Sequence, residues 1–296
     1  MTAQILDGKR LAQNISKQLS LEVSLLRQKT GQVPHMVNVM LGGDGSACAY
    51  ANSQKRVAEK VGIRYDLVDL PKDISQNDLI SYINTLNADS SVHGIMLHKP
   101  VPAHIHYREV ANCFAVAKDL EGINVTNIGK LLIGETRITP CTPAAVMELL
   151  DLIPKEFDPR FNLRGRETVI VGASEIVGKP LSILLWTRMA TVTVCHVATS
   201  EAGRLEDHIG RADVLIVAVG KPELIKGRWI KDGAVVVDVG INVVGDRIVG
   251  DVEFGAASKK AAFITPVPGG VGPVTVVMLM RNGIEAFRQQ MNIPSA

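Results

Sequence analysis

The stretch TVIVGASEIVGKP, residues 168–180, decides the fold. Thr168 to Val171 is β-branched throughout and reads as a short buried strand. Gly172 follows at once, and Gly178-Lys179-Pro180 leads into the apolar run Leu181 to Trp186, which reads as a helix. A glycine between a strand and a helix lets backbone amides at the positive helix end face a phosphate. The middle glycine of a G-x-G-x-x-G turn is missing, because Ser174 holds its place. Taken alone the turn is a weak dinucleotide signal, and a plain tight turn reads the same way.

Working outward, three more short β-branched runs follow: Val192 to Cys195, Val214 to Val219 and Ala234 to Val239. With helical stretches between most of them, they fit parallel strands covered on both faces. That doubly wound order strengthens the dinucleotide reading. The residue that meets the adenosine ribose is expected about 20 positions on, at the end of the next strand. Cys195-His196-Val197-Ala198-Thr199 stands there. It holds neither a carboxylate for a 2′-hydroxyl nor an arginine for a 2′-phosphate, so these residues do not choose between NAD and NADP.

Upstream the alternation repeats. Val37 to Leu41 is a strand ending in Gly42-Gly43-Asp44-Gly45, Ala47 to Val61 a helix, Arg64 to Leu70 a strand and Asp78 to Ala88 a helix. Gly94 to Leu97 is a buried strand halted by Pro100 and Pro102. After a connector, Thr142 and Pro143 read as N-cap and first position of a helix over Ala144 to Leu152. Ile153 to Arg164, with two prolines, reads as a loop, and Thr275 to Gln290 as a helix that returns to the first domain. The expected fold is two α/β domains with a cleft between them, the second a Rossmann-type doubly wound parallel sheet. The expected division is 1–139 plus 275–296, and 140–274.

A chain of 296 residues suits two domains. Its 46% hydrophobic and 21% charged residues exclude a disordered or fibrous class. Thirty-two basic against thirty acidic residues argue against an electrostatic nucleic-acid binder. The four cysteines, Cys48, Cys113, Cys141 and Cys195, form no CxxC pair, so reduced thiols are expected and no metal site. The first residues carry no apolar signal core, and no run of about 18 uncharged apolar residues occurs. A soluble, cytoplasmic protein without a membrane partner is the expectation.

Four segments outside the glycine turn carry candidate chemistry. Tyr50 and Gln54 lie about 40° apart on one helix face, whereas Lys55 points about 140° away from Tyr50. His98-Lys99 follows strand Gly94 to Leu97 at its carboxyl end, where open α/β sheets bind ligands. Lys118 to Gly122 (KDLEG) is a charge cluster, and Thr265 to Pro273 (TPVPGGVGP) a rigid loop able to bring backbone close to a flat ligand. The plain alternatives are a half-buried aromatic, a surface histidine, a solvated turn and a linker.

Taken in order, TPVPGGVGP, PCTP (140–143), SEIVGKP (174–180), AVGKP (218–222) and DVGIN (238–242) resemble the bifunctional methylenetetrahydrofolate dehydrogenase/methenyltetrahydrofolate cyclohydrolase family. The resemblance runs from about Ile5 to Gln290. It implies oxidation of 5,10-methylenetetrahydrofolate with NAD or NADP, then hydrolysis to 10-formyltetrahydrofolate, with the pterin in the cleft. It also implies a homodimer formed through the nucleotide domain. The implied folate contacts are Tyr50, Gln54, Leu97, His98, Lys99, Glu121, Pro268, Gly269, Gly270, Val271 and Gly272. Tyr50, Gln54, His98, Lys99 and Glu121 are the catalytic candidates among them. The implied cofactor contacts are Gly172, Ala173, Ser174, Ile176, Val177 and Gly178 at the first turn. His196, Val197, Ala198 and Thr199 follow at the second strand, then Val219 and Gly220, then Gly240, Ile241, Asn242 and Thr275.

The chain departs from the family pattern at the hydrolytic centre. The family's Tyr-x-x-x-Lys has Gln54 in place of its catalytic lysine, its strand-end Gln-Leu is His98-Lys99, and the aspartate of its KDxDG turn is Glu121. Glutamine is no base at neutral pH, though it hydrogen-bonds. The expectation is a dehydrogenase with the cyclohydrolase step weak or lost, and His98 or Lys99 taking part of the lysine's role. The alternatives are a full bifunctional enzyme using another base, a dehydrogenase of a related reduced pterin, and a silent folate- or nucleotide-binding paralogue. The family's Gly-Arg-Ser is Gly172-Ala173-Ser174 and its His-Ser-Arg-Thr is His196-Val197-Ala198-Thr199, which favours NAD. No sites for a magnesium–phosphate pair, as in some NAD-using relatives, are recognisable.

Overall fold

Valine and isoleucine runs too short for helices, separated by amphipathic stretches, fold as the alternation predicts. The computed structural model describes residues 2–43 and 45–294. It runs β1 (Gln4–Ile5), α1 (Gly8–Thr30), β2 (His35–Leu41), α2 (Gly45–Val61), β3 (Arg64–Leu70), α3 (Gln76–Ala88), β4 (Gly94–Leu97), α4 (Tyr107–Asn112), α5 (Val125–Leu132) and α6 (Cys141–Glu156). It continues β5 (Glu167–Val171), α7 (Gly178–Thr187), β6 (Thr191–Cys195), α8 (Val197–Glu201), α9 (Leu205–Gly210), β7 (Val214–Val217) and β8 (Val235–Asp238). It ends β9 (Asn242–Val244), β10 (Arg247–Val249), α10 (Phe254–Ala257), β11 (Phe263–Ile264) and α11 (Val271–Gln290). Among the described residues no helix is long and apolar enough to cross a membrane.

Contacts divide the chain into two units, Met1–Ala12 with Thr142–Thr275, and Gln13–Cys141 with Val276–Ala296. Residues 1–12 depart from the expected division. Gln4 and Ile5 pair in parallel with Phe263 and Ile264, and this register ties the N-terminus to the later unit.

In the later unit six parallel strands lie in the order β1-β11-β8-β7-β5-β6. Val169, Val171, Leu215, Val217, Val236 and Ile264 form its core with Ile209 and Ile225. β7 and β8 are buried along their whole length, as expected. β6 is only half-buried, a correction to the reading of all four runs as covered, because it is the sheet's edge. The chain passes from β5 to β6 on one side and then crosses to β7 on the other. The strand order therefore reverses between β5 and β7, where such sheets bind ligands at their carboxyl ends.

The earlier unit has three parallel strands, β3-β2-β4. Leu79, Ile83 and Leu86 of α3 pack with Val37, Val39, Ile95 and Leu97. Ser75 caps α3 by accepting the Asp78 amide at 3.1 Å.

Two helices differ from the reading. α6 starts at Cys141, not Ala144, and runs through Pro154 to Glu156. Proline near a helix end forfeits only one hydrogen bond, and fully buried Ile153 anchors that last turn, its carbonyl accepting from Phe157 and Asp158. α11 begins at Val271, so the end of the TPVPGGVGP loop is already helical. The strands β1 and β11 and the β9–β10 hairpin were not anticipated. Two- and three-residue strands are too short for periodicity to register.

Candidate active site

In the earlier unit a buried polar cluster sits under α2. Asn38 lies in the middle of β2, a strand buried along its whole length, and so needs partners. Its Nδ2 lies 2.8 Å from the Tyr65 hydroxyl, 3.3 Å from Gln54 Oε1 and 3.3 Å from His98 Nδ1. The Tyr65 hydroxyl in turn donates to Gln54 Oε1 at 3.0 Å. Gln54, only 3% exposed, also hydrogen-bonds the hydroxyl of Tyr50 through its side chain. The rings of Tyr50 and His98 stand 5.9 Å apart, with Tyr50 46% exposed above the buried layer. The structure thus brings Tyr50, Gln54 and His98 together.

Their protonation follows from burial. Desolvation raises the Tyr50 and Tyr65 hydroxyls above the ordinary phenol range and lowers His98, leaving all three neutral near pH 7. His98 Nδ1 lies 3.3 Å from the Asn38 amide nitrogen, whose two N–H groups also face Tyr65 and Gln54.

Lys99 does not join this cluster. It is exposed, and its Nζ lies 3.7 Å from the centroid of the Tyr107 ring. The Tyr107 hydroxyl donates to Glu121 Oε2 at 2.8 Å. Burial pushes Glu121 up to about 7, opposed by the Tyr107 bond and the Lys99 charge and reinforced by Asp119. The Glu121 charge in turn raises Tyr50, so the carboxyl acts on the cluster electrostatically.

The rest of the KDLEG segment is framework and not a solvated turn. Lys118 Nζ donates to the carbonyls of Leu86, Asn87 and Asp89, satisfying the end of α3. Asp119 accepts from the amides of Asn124 and Glu121 and from Asn127 Nδ2. Cys141, whose thiol burial holds well above its ordinary pKa, contacts the Leu120 carbonyl and Asn282. All four cysteines are free thiols. Among the described residues no group of three or more His, Cys, Asp or Glu could hold a metal ion.

The later unit builds its site from backbone. Gly172, at φ 120°, packs so tightly that a Cβ there would overlap the Ala218 carbonyl, and one at Gly178 would overlap the Gly172 carbonyl. Ser174 pins the turn to α7, its Oγ accepting from the Val177 amide at 3.2 Å and its carbonyl from Lys179 at 3.0 Å. This bare cradle at the start of α7, beside the β5–β7 crossover, fits a dinucleotide. After β6, the His196 amide donates to Thr199 Oγ1, and Val197 (66% exposed) and Ala198 present no charge to solvent. Arg211, which the sequence reading passed over, donates to Thr193 Oγ1 at 3.0 Å on β6.

Gly240, Ile241 and the Pro266–Gly272 segment line one cavity of about 150 Å³ together with Asp238 and Ile248. Thr275 lies one turn into α11, its hydroxyl donating to the Val271 carbonyl. Sequence reasoning missed Asn38, Tyr65, Tyr107, Asp238 and Asp251. A lone polar residue inside the apolar run VNVML was the available signal for Asn38. Burial pushes Asp238 up to about 6, against hydrogen bonds from the amides of Val252, Asp251 and Gly240.

A glycine cradle at the crossover of a parallel sheet and a separate polar cluster in a second α/β unit define a two-domain protein of the nucleotide-dependent class. The catalytic-domain model of the tetrahydrofolate dehydrogenase/cyclohydrolase family matches residues 6–121, and that family's NAD(P)-binding-domain model matches residues 140–291. The chain belongs to this family. It is 45% identical over 290 residues to the "Bifunctional protein FolD" of Moorella thermoacetica, covering 98% of this chain and 100% of that one. The crystal structure of the bifunctional FolD enzyme from Campylobacter jejuni superposes with a TM-score of 0.91 at 38% identity, over 97% of this chain and 99% of that one. The Trypanosoma brucei dehydrogenase-cyclohydrolase, complexed with NADP cofactor and inhibitor, gives 0.91 at 36% identity over 98% and 99%.

Proposed function

We propose that this chain is a 5,10-methylenetetrahydrofolate dehydrogenase that prefers NAD and whose cyclohydrolase step is weak or lost. The observation that carries the reading is Gln54. At the position where the family places its lysine, a buried amide has its one acceptor oxygen occupied by Tyr65 and Asn38. Such a group holds neighbours in place and takes no proton.

The two steps make different demands. Loss of hydride from the methylene carbon is assisted by the substrate's own N5 and N10 lone pairs, so the protein's work is orientation. When bound, the nicotinamide supplies the hydride acceptor. Tyr50, Gln54 and His98 form a neutral, rigid, hydrogen-bonded floor suited to placing a flat pterin. The Gly172 cradle and the loops after β7 and β8 would hold the dinucleotide. Hydrolysis of the methenyl product needs a base for the attacking water, and the Gln54 cluster offers none.

The uncharged Val197–Ala198 surface after β6 supports NAD over NADP. A 2′-phosphate there would forgo charge-assisted bonds worth about 1.5–3 kcal/mol each. A homodimer and a cytoplasmic location belong to the same proposal, to be checked by sedimentation and fractionation.

One observation favours a second reading, the full bifunctional enzyme. Glu121 is half-ionised near neutral pH and so matched to base catalysis. Product analysis separates the two. With 5,10-methylenetetrahydrofolate and NAD, accumulation of the methenyl species supports the dehydrogenase. Formyl product formed as fast as NADH supports the second reading, and a lower KM for NADP than for NAD would refute the cofactor preference.

A further inference from the structure

Asp251 is fully buried after β10, yet no site role falls to it. Its Oδ2 accepts the amides of Val219 at 2.7 Å and Gly220 at 2.9 Å. Its Oδ1 accepts the amide of Lys221 at 2.8 Å and Nδ2 of Asn242 at 2.9 Å. Three consecutive backbone N–H groups converging on one anion, with Gly220 at φ 66°, form an anion nest. Here the anion is the chain's own carboxylate. A Cβ on Gly240 would overlap that carboxylate, and one on Gly250 would overlap Asp238, so the surrounding glycines are shaped to it.

The consequence is chemical. In a trans peptide the N–H of one residue points opposite to the carbonyl of the residue before it. With the amides of 219, 220 and 221 turned in to Asp251, the carbonyls of Ala218, Val219 and Gly220 turn away from it. The Ala218 carbonyl is the one against which Gly172 packs, which puts this edge at the β5–β7 crossover. A loop whose donors are consumed internally cannot bind phosphate through them, unlike the glycine turn before α7.

Resting on the reading of this unit as the NAD-binding domain, we infer that Asp251 is a positioning residue that presets the 219–221 loop as an acceptor edge. That edge takes hydrogen-bond donors of the cofactor, the carboxamide amine or the ribose hydroxyls, and leaves phosphate to the Gly172 turn. Asn242 is aligned by the same carboxylate.

Amide hydrogen exchange on the intact wild-type protein tests the loop without a variant. The 219–221 amides should already be protected in the free protein, and NAD should slow them no more than it slows the buried β7 amides of the same unit. Fast exchange that slows only on adding NAD would overturn the inference, since the amides would then be ligand contacts. Calorimetric titration of Asp251→Asn tests the chemistry. An amide turned either way sets its NH2 against two donors, so the loop must rearrange.

NAD affinity should fall about tenfold in this variant while ADP affinity stays within about twofold. An equal loss for ADP-ribose assigns the ribose hydroxyls, and a loss seen with NAD alone assigns the carboxamide. Unchanged NAD affinity, or an equal loss for ADP, would contradict the role. Should the variant fail to fold, the wild-type exchange pattern still decides. If wild type binds no dinucleotide at all, the NAD-domain reading fails, and the exchange pattern judges the loop separately.

Discussion

The two units solve the same problem, a polar site in a parallel α/β unit, with different materials. In the earlier unit the polar groups are side chains: Asn38 Nδ2, Gln54, Tyr65 and His98 form one buried hydrogen-bonded network. In the later unit glycines admit close backbone approach and one carboxylate gathers three main-chain amides. A site made of side chains can lose a reaction by one substitution while its fold persists. A site made of backbone changes only by breaking, so on the proposed reading Gln54 alters the hydrolytic chemistry while the glycine turn is kept.

The sharpest way to break that contrast is at Gly178. Gly178→Val puts side-chain atoms into the Gly172 carbonyl and should lower NAD affinity by about 100-fold, an overpacking cost of about 1–3 kcal/mol or more. Titration calorimetry measures it, and a tolerated valine would show that the turn is soft. Next in size is Ala198→Arg, which places a cation on the uncharged surface after β6. NADP turnover, as kcat/KM, should rise by about tenfold or more, one charge-assisted bond. If wild type already favours NADP, Arg211, which follows α9 and reaches Thr193 on β6, becomes the residue to remove.

The smallest effect sharpens the side-chain half of the comparison. Because the Lys99 charge lowers Glu121, Lys99→Met should move any inflection that Glu121 gives near pH 7 upward. Glu121→Gln should abolish that inflection. The linkage sign is definite: the native state holds the Glu121 proton to higher pH than the unfolded chain. Stability should therefore decline as pH rises from the ordinary glutamate range through about 7, and this slope should vanish in Glu121→Gln. Urea titrations across that range measure it.

What was legible in the sequence follows the same division. β3 and β4 match their expected limits, because period and apolar content mark them within the segment itself. Gly172 and Gly178 were legible because backbone sites leave a glycine signature. Tyr50 and Gln54 were paired correctly by helical spacing. Asn38, Tyr65 and Tyr107 were not found, since their role comes from strand register and from contacts across 11 to 60 residues of sequence. Lys99 was grouped with His98 by adjacency, but successive residues leaving a strand point apart, and it lies on Tyr107 instead. Pro154 misled because burial of Ile153 outweighs one lost helix bond.

The central claim, that hydride transfer persists where hydrolysis has been given up with the lysine, is tested most directly by comparing products from wild type and Gln54→Lys. Each is given 5,10-methylenetetrahydrofolate and NAD, and NADH, methenyl and formyl species are followed separately. Wild type should accumulate methenyl product while Gln54→Lys forms the formyl product about 100-fold faster, the scale of a restored general base. Wild type releasing formyl product in step with NADH, with no gain from the lysine, would contradict the account.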